Sequence, residues 1–375
     1  MGRRLLKLSV VVGSVVLCGP TIFRGPNDWA DVVHAQEGRP RAEAPVRVRP
    51  VQGNIYMIAA GGSNITASVG VDGVMLVDAG PAELGEKVLE AVGQLNTDVN
   101  ATPEPPITCV GRRCPGGAGA GARNEWGFSG AGINALVDSP PPLNPIRYLI
   151  NTSVDPDHTG GNLTVGGSGR TFTGANISLQ FNYGGEGAEI WAYETVLNRM
   201  TEEAKIPETA WPGATYFSPT YKWSEFFNGE GIELHYVPAA HTDGDTMVYF
   251  RYSDVLSAGD ILRVDTYPVI DVEKGGTIQG MIDGLHKILD IAIPQYRSEG
   301  GTYIVPGHGR ICDVGDVANY RNMVVKIRDR IREMSGSGMT LDQVKAARPT
   351  LDYDGRYGSP DKFIEAVYRT LDAKK

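Results

Sequence analysis

Apolar residues recur along this chain with two periods, and the change from one to the other marks where strand should give way to helix. From Val46 to Ala79 apolar and polar positions alternate in short runs broken by Gly53, Gly61-Gly62, Gly70 and Asp72-Gly73, the pattern of antiparallel strands and hairpins. Val74 to Val77 is continuously apolar and predicts a buried strand ending at Asp78. Leu84, Val88, Leu89, Val92 and Leu95 then fall at helical spacing, so a helix over 84–95 is expected. Residues 96–144, Pro-rich at both ends and Gly/Ala-rich after Cys114, hold too few bulky apolar side chains to build a core and read as an insertion loop. Ile146 to Ile150 is the next expected strand, and it delivers the loop starting at Asn151 at its C-terminal end, where open α/β sheets place ligands.

A second cycle follows. Glu189 to Met200 reads as a helix, and strands are expected over 232–238, 246–252 and 255–258, the last running into Gly259-Asp260. Ile278, Met281, Ile282, Leu285, Ile288 and Leu289 predict an amphipathic helix within 277–293, and Thr302 to Val305 a last strand before Pro306-Gly307-His308-Gly309. Beyond it the chain turns helical: 317–334 is amphipathic and charged, Thr340 with Gln343 has capping-box spacing, and Ser359-Pro360 should open a final helix with serine as N-cap.

Composition narrows the address and the partners. Arg3, Arg4 and Lys7 precede an apolar run, Leu8 to Cys18, that is too short to span a bilayer, and Val33-His34-Ala35 offers a small-residue cleavage point. Residues 1–35 are therefore expected to be a signal peptide and the product exported, periplasmic or secreted, with no stable membrane span after cleavage. Leu17 argues against a lipoprotein anchor at Cys18. Removing 1–35 takes away four basic and two acidic residues, so the formal charge moves from −9 to −11. An acidic surface excludes nucleic acid as the natural partner and leaves a small-molecule substrate. Cys109 and Cys114 could form a local disulfide in an oxidising compartment, and Cys312 is expected as a small buried side chain.

The chemistry concentrates in Asn151-Thr152-Ser153-Val154-Asp155-Pro156-Asp157-His158-Thr159-Gly160-Gly161-Asn162. Residues at i and i+2 of an extended loop point the same way, so Ser153, Asp155 and Asp157 should converge while His158 opens the next helix. His241 in Ala-His-Thr-Asp-Gly-Asp, Asp260 in Ala-Gly-Asp and His308 in Pro-Gly-His-Gly follow in order. The loop resembles the Thr-His-x-His-x-Asp-His-x-Gly-Gly-Asn signature of the metallo-β-lactamase superfamily, with Ser153 and Asp155 at the two histidine positions, and the later pieces extend the resemblance from about Val46 to the C-terminus outside the insertion. What it implies is a four-layer αββα sandwich over 36–311, with the site at one edge between two sheets, and a helical extension over 312–375 as in a hydrolase and cyclase-like branch.

Carried onto this sequence, the resemblance makes Asp157, His158 and His308 ligands of one metal, with Asp260 bridging to a second held by His241 and Asp155, and gives Asp157 the catalytic role. Zinc is the expected ion, one or two per chain, with iron or manganese as the alternatives that the carboxylate at 155 makes more credible. The implied activity is hydrolysis of an ester, amide, lactone, thioester or β-lactam-like substrate by metal-activated water. The alternatives are a degenerate binding protein that has lost catalysis and a non-haem iron redox protein. Thr242 and Asp243 are expected to orient the ligand imidazoles, and Tyr193, where relatives often carry histidine, to line the pocket. Arg112 and Arg113 could meet an anionic substrate, whereas His34, His235 and His286 receive no chemistry.

Overall fold

Alternation of period two decides which strands share a core, because successive side chains of a strand face opposite sides of its sheet. The computed structural model describes residues 45–101, 146–171, 185–202, 206–224, 226–293 and 301–371. The predicted signal segment, most of the predicted insertion, Cys109, Cys114, Arg112 and Arg113 lie outside them. Four strands, β1 (Arg47–Gln52), β2 (Ile55–Ala60), β3 (Ser63–Gly70) and β4 (Gly73–Val77), form an antiparallel meander. β5 (Ile146–Ile150) adds in parallel to β4, and a small ribbon of β6 (Arg170–Thr171) and β7 (Gly185–Glu186) stands apart. β8 (Glu189–Tyr193) and β9 (Ala214–Tyr216) extend the β4–β5 side in parallel. β10 (Thr220–Lys222), β11 (Ile232–Val237), β12 (Asp245–Phe250) and β13 (Val255–Arg263) are antiparallel neighbours, and β14 (Tyr303–His308) runs parallel to β13.

These two halves meet at one residue pair, His308 with Ser63, between β14 and β3. Ile55, Met57, Met75, Val77 and Ile150 of the first half pack against Leu234, Val248, Phe250 and Val305 of the second, so the halves face each other across an inner core. The alternate residues, Ile58, Ile65, Val74, Leu76 and Leu149, face outward against helix α1 (Gly85–Ala101). On the far side Val237, Met247, Leu256 and Ala258 face the later helices. The result is the layered α/β/β/α arrangement expected from the sequence, and the two ends that meet, β14 and β3, bring His308 beside the motif loop.

Short α2 (Pro156–Thr159) and a π-helical turn (Asn162–Gly166) follow β5, and α3 (Glu194–Glu202) follows β8. The helix expected over 189–200 is corrected here. Its first part is β8, because Ile190 packs into the outer core and Trp191 and Tyr193 into the inner one, and sheet pairing outweighs the helical period. α1 also runs to Ala101, into residues expected as insertion.

α4 (Ile278–Ile291) begins at Thr277, whose side chain accepts from the Gly280 N–H. α5 (Val314–Gly336) starts on an Asp313/Asp316 capping box and α6 (Leu341–Ala347) on the expected Thr340/Gln343 box. α7 (Asp354–Tyr357) and α8 (Asp361–Thr370) complete the tail; Pro360, not Ser359, takes the N-cap position of α8, without a side-chain cap. Val317, Tyr320, Val324, Ile327, Phe363, Ile364 and Val367 share one core with α4 and β13. Each such buried side chain contributes about 1.5–3 kcal/mol, which fixes α4 and the loop before it against the site edge. Among the described residues no helix is long and apolar enough to cross a membrane.

Candidate metal centre

Five chain segments end at the same edge, and the chain is fixed there by buried polar bonds rather than by packing alone. Asn151 and Asn162 exchange amide hydrogen bonds at 3.0 and 2.8 Å, and Asn162 also donates to the Ala210 carbonyl, pinning both ends of the motif loop. Asp78, just past β4 with a left-handed backbone (φ 69°), accepts from the Thr152 N–H at 2.8 Å and the Thr152 hydroxyl at 2.7 Å. A non-glycine residue in that region stores strain, and here the strain aims a buried carboxylate into the site. β13 does not stop at residue 258 as expected but runs through Asp260 to Arg263, with register shifts on either side of Gly259 (φ 52°), where a Cβ would meet Thr152. Gly307 serves the same end, since a Cβ there would collide with the Asp260 carboxylate.

Asp157, His158 and His308 form one cluster of donor atoms and Asp155, His241 and Asp260 another. In the first, His158 is fully buried and its Nδ1 lies 2.7 Å from Asp78 Oδ2, so Nδ1 carries a proton and Nε2 is the nitrogen turned to the centre. That nitrogen faces Asp260 Oδ1 at 3.3 Å, and His308 Nε2 stands 3.3 Å from the same oxygen and 3.2 Å from Asp157 Oδ2. None of these approaches has hydrogen-bond geometry: His158 Nε2, His308 Nε2 and Asp260 Oδ1 are all buried without a partner. Unpaired buried polar atoms cost about 1–3 kcal/mol each, and a cation among these three converging atoms would satisfy them. The donor set of two imidazoles and two carboxylates suits zinc. These residues fit a metal ion.

In the second cluster Asp155 and His241 are closed on each other. His241 Nδ1 donates to the Val269 carbonyl at 2.9 Å, and Nε2 lies 2.7 Å from Asp155 Oδ2, a bond that requires a second proton and so an imidazolium. The other carboxylate oxygen, Asp155 Oδ1, takes the Lys274 ammonium at 2.6 Å, and that ammonium also meets Asp271 Oδ2 at 3.1 Å. No atom of Asp155 or His241 is among the buried unpaired ones.

The electrostatics follow the same division. Burial alone would depress His241, but the Asp155 hydrogen bond and the Asp260 and Asp245 carboxylates raise it from 6.5 to about 9. Asp155 would rise on burial, yet His241 and Lys274 bring it down to about 2. Burial lowers His308, which favours its neutral form. Burial would raise Asp157 and Asp260, but the His308 ring in contact with Asp157 and the nearby His158, and Arg263 with the two imidazoles beside Asp260, hold both well below the carboxylate range. His158 departs from that division: burial pulls it down, but Asp78 and Asp260 raise it beyond that, so an ion at Nε2 would take the place of a proton there.

Several sequence expectations are corrected. Ser153, Asp155 and Asp157 do not converge: Pro156 starts a helical turn, so Asp157 reaches His308 while Asp155 reaches His241, and Ser153 Oγ accepts from the Asp155 N–H at 3.3 Å. Thr242 bonds Asp245, and Asp243 forms a bidentate pair with Arg199 at 2.7 Å, so neither orients an imidazole; Asp78 and the Val269 carbonyl do. Tyr193 stacks on Tyr236 with ring centroids 3.6 Å apart. Cys312 is buried, with a thiol raised by that burial, as expected of a structural cysteine. Asp78, Arg263 and Lys274 are the site residues the sequence did not single out. A carboxylate closing an apolar strand was the one available signal for Asp78; Arg263, whose buried Nε lacks a partner 3.8 Å from Asp260, and Lys274 had none.

The sequence pattern of the metallo-beta-lactamase superfamily matches residues 115–308, so the chain belongs to that superfamily, whose members are mostly metal-dependent hydrolases. It matches none of the curated proteins compared with it. Among solved structures it is similar to the stereoselective inverting sec-alkylsulfatase Pisa1 from Pseudomonas sp., with a TM-score of 0.55 and 12% identity over 90% of this chain and 54% of that one. The chain thus spans about half the sulfatase's length. It is also similar to the DIM-1 metallo-beta-lactamase (TM-score 0.46, 14% identity, 75% of this chain and 97% of that one). A metallo-beta-lactamase from Pontibacter korlensis gives a TM-score of 0.45 at 12% identity, covering 75% of this chain and 99% of the other. At these identities the likeness is one of fold.

Proposed function

We propose that this chain is an exported metal-dependent hydrolase of a small molecule, with Asp157, His158, Asp260 and His308 as the ligands of its catalytic ion. The observation that carries this reading is the convergence of three unpaired buried atoms, His158 Nε2, His308 Nε2 and Asp260 Oδ1, within 3.3 Å contacts. An ion bound there would supply Lewis-acid polarisation of a substrate oxygen and lower the pKa of water, with zinc as the first choice and iron or manganese as alternatives. The chain's own residues do the positioning. Asp78 fixes the His158 tautomer, and Gly259 and Gly307 let Asp260 approach. Asp157, held below the carboxylate range beside His308 and His158, is a carboxylate that would help hold the ion. The buried Arg263 Nε beside Asp260 offers a donor to an anionic substrate group.

Substrates in this reading are esters, amides, lactones, thioesters or β-lactams, and an alkyl sulfate belongs in the same assay panel. The test is turnover of that panel by protein purified without chelator, alongside His308→Ala. Turnover that tracks bound metal and disappears in the variant supports the hydrolase. Full metal loading with no turnover of any substrate would favour a binding protein, and redox activity with bound iron a non-haem iron protein. Export rests on the basic and apolar pattern of residues 1–35, and N-terminal sequencing of periplasmic or culture-fluid protein tests it.

A further inference from the structure

The two donor clusters differ in a way the ligand residues alone do not reveal. His158 Nε2 and His308 Nε2 of cluster one, and the Asp260 Oδ1 they both face, are buried and unpaired; Asp155 and His241 of cluster two leave no such atom, because each is paired with the other and Lys274 takes the second Asp155 oxygen. The lysine is held by its own backbone as well as by its charge. Its N–H donates to Asp271 Oδ1 at 3.0 Å, its carbonyl accepts from the Asp243 N–H at 2.9 Å, and the Asp271 N–H reaches the His241 carbonyl at 2.9 Å. The loop carrying the ammonium is therefore clasped to the segment carrying His241. The side chains of Lys274 and Asp155 are only 27% and 16% exposed, so the pair is shielded from bulk solvent.

We propose that the Lys274 ammonium replaces a second metal ion at the Asp155–His241 cluster, making the centre mononuclear and Asp155 a salt-bridge partner instead of a ligand. The reasoning is one of charge and of coordination sites. An ion entering this cluster would need the Asp155 oxygen now engaged by His241 and would sit beside a fixed positive charge on the other oxygen, with three protein donors at most. Like charges at that separation repel strongly in a shielded site. The opposite role, in which Lys274 steadies Asp155 as a ligand from outside, would make the lysine an aid to metal binding. The two roles give opposite signs when the ammonium is removed.

The inference rests on the proposed metal centre, and the experiment separates failure of one from failure of the other. Zinc stoichiometry of the full chain is measured by titration against a competing chromophoric chelator, for the wild type, Lys274→Met, Lys274→Gln and Lys274→Arg, with thermal melting to establish that each is folded. The expected result is one tight equivalent in the wild type and in Lys274→Arg, and a second equivalent gained in Lys274→Met or Lys274→Gln. Two equivalents in the wild type, or no gain in either folded neutral variant, would overturn the inference and leave the metal centre standing. No zinc in any of the chains would overturn both.

Discussion

His158 and His241 occupy matching places on opposite sides of Asp260, yet one faces an unpaired carboxylate oxygen and the other is locked into a salt bridge. The difference lies in what holds the far nitrogen and what meets the near one. His158 donates from Nδ1 to the Asp78 carboxylate, which turns Nε2 to the centre. His241 donates from Nδ1 to a neutral carbonyl, Val269, and meets Asp155, which has a second cation of its own in Lys274. Two histidines from the same superfamily pattern thus have different chemistry, decided by residues the pattern does not contain.

The largest effect expected from breaking this contrast is at cluster one. His308→Ala should lower zinc affinity by more than about 100-fold, beyond the range of an outer partner's loss, as read by chelator competition. Retention of wild-type affinity would place the ion elsewhere. Asp78→Asn leaves the ligands in place but loosens the His158 tautomer, so zinc affinity should fall by about 10–100-fold while the protein stays folded; an unchanged affinity would make Asp78 purely structural.

A smaller effect should mark cluster two. In chelator, His241 has its pKa raised from 6.5 to about 9 by folding, so the stability it contributes is fully present below pH 6.5 and is lost as pH rises through about 9. Urea unfolding should show a decline on the order of 1–2 kcal/mol over that window. His241→Gln should flatten it, and an equal decline in the variant would remove the salt bridge as its cause. The smallest effect belongs to Asp243→Asn. Asp243 is paired with Arg199 and touches no imidazole, so zinc affinity should stay within about twofold and stability within about 1 kcal/mol. A tenfold loss of zinc would restore the role the sequence suggested for it.

The sandwich was legible because its strands alternate and its loops carry glycine at the right places: Val74 to Val77, Ile146 to Ile150 and Thr302 to Val305 each end at a site residue or its loop. The helix predicted across β8 failed because Ile190, Trp191 and Tyr193 serve two cores through sheet partners distant in sequence. At the site, Asp157, His158, Asp260 and His308 were legible through short motifs. The division of labour between Asp155 and Asp157 was not, since it depends on the helical turn started by Pro156. Lys274 was invisible for a plainer reason: it stands 119 residues from Asp155 in a loop without a motif, and backbone bonds to the Asp243 and His241 segment bring it there.

The most direct test of the account is anomalous diffraction at the zinc edge from crystals of the full chain grown with zinc. The account predicts one strong peak per chain, about 2.0–2.2 Å from His158 Nε2, His308 Nε2 and carboxylate oxygens of Asp157 and Asp260, with Lys274 still paired to Asp155. A second peak between Asp155 and His241, or a sole peak there, would contradict it.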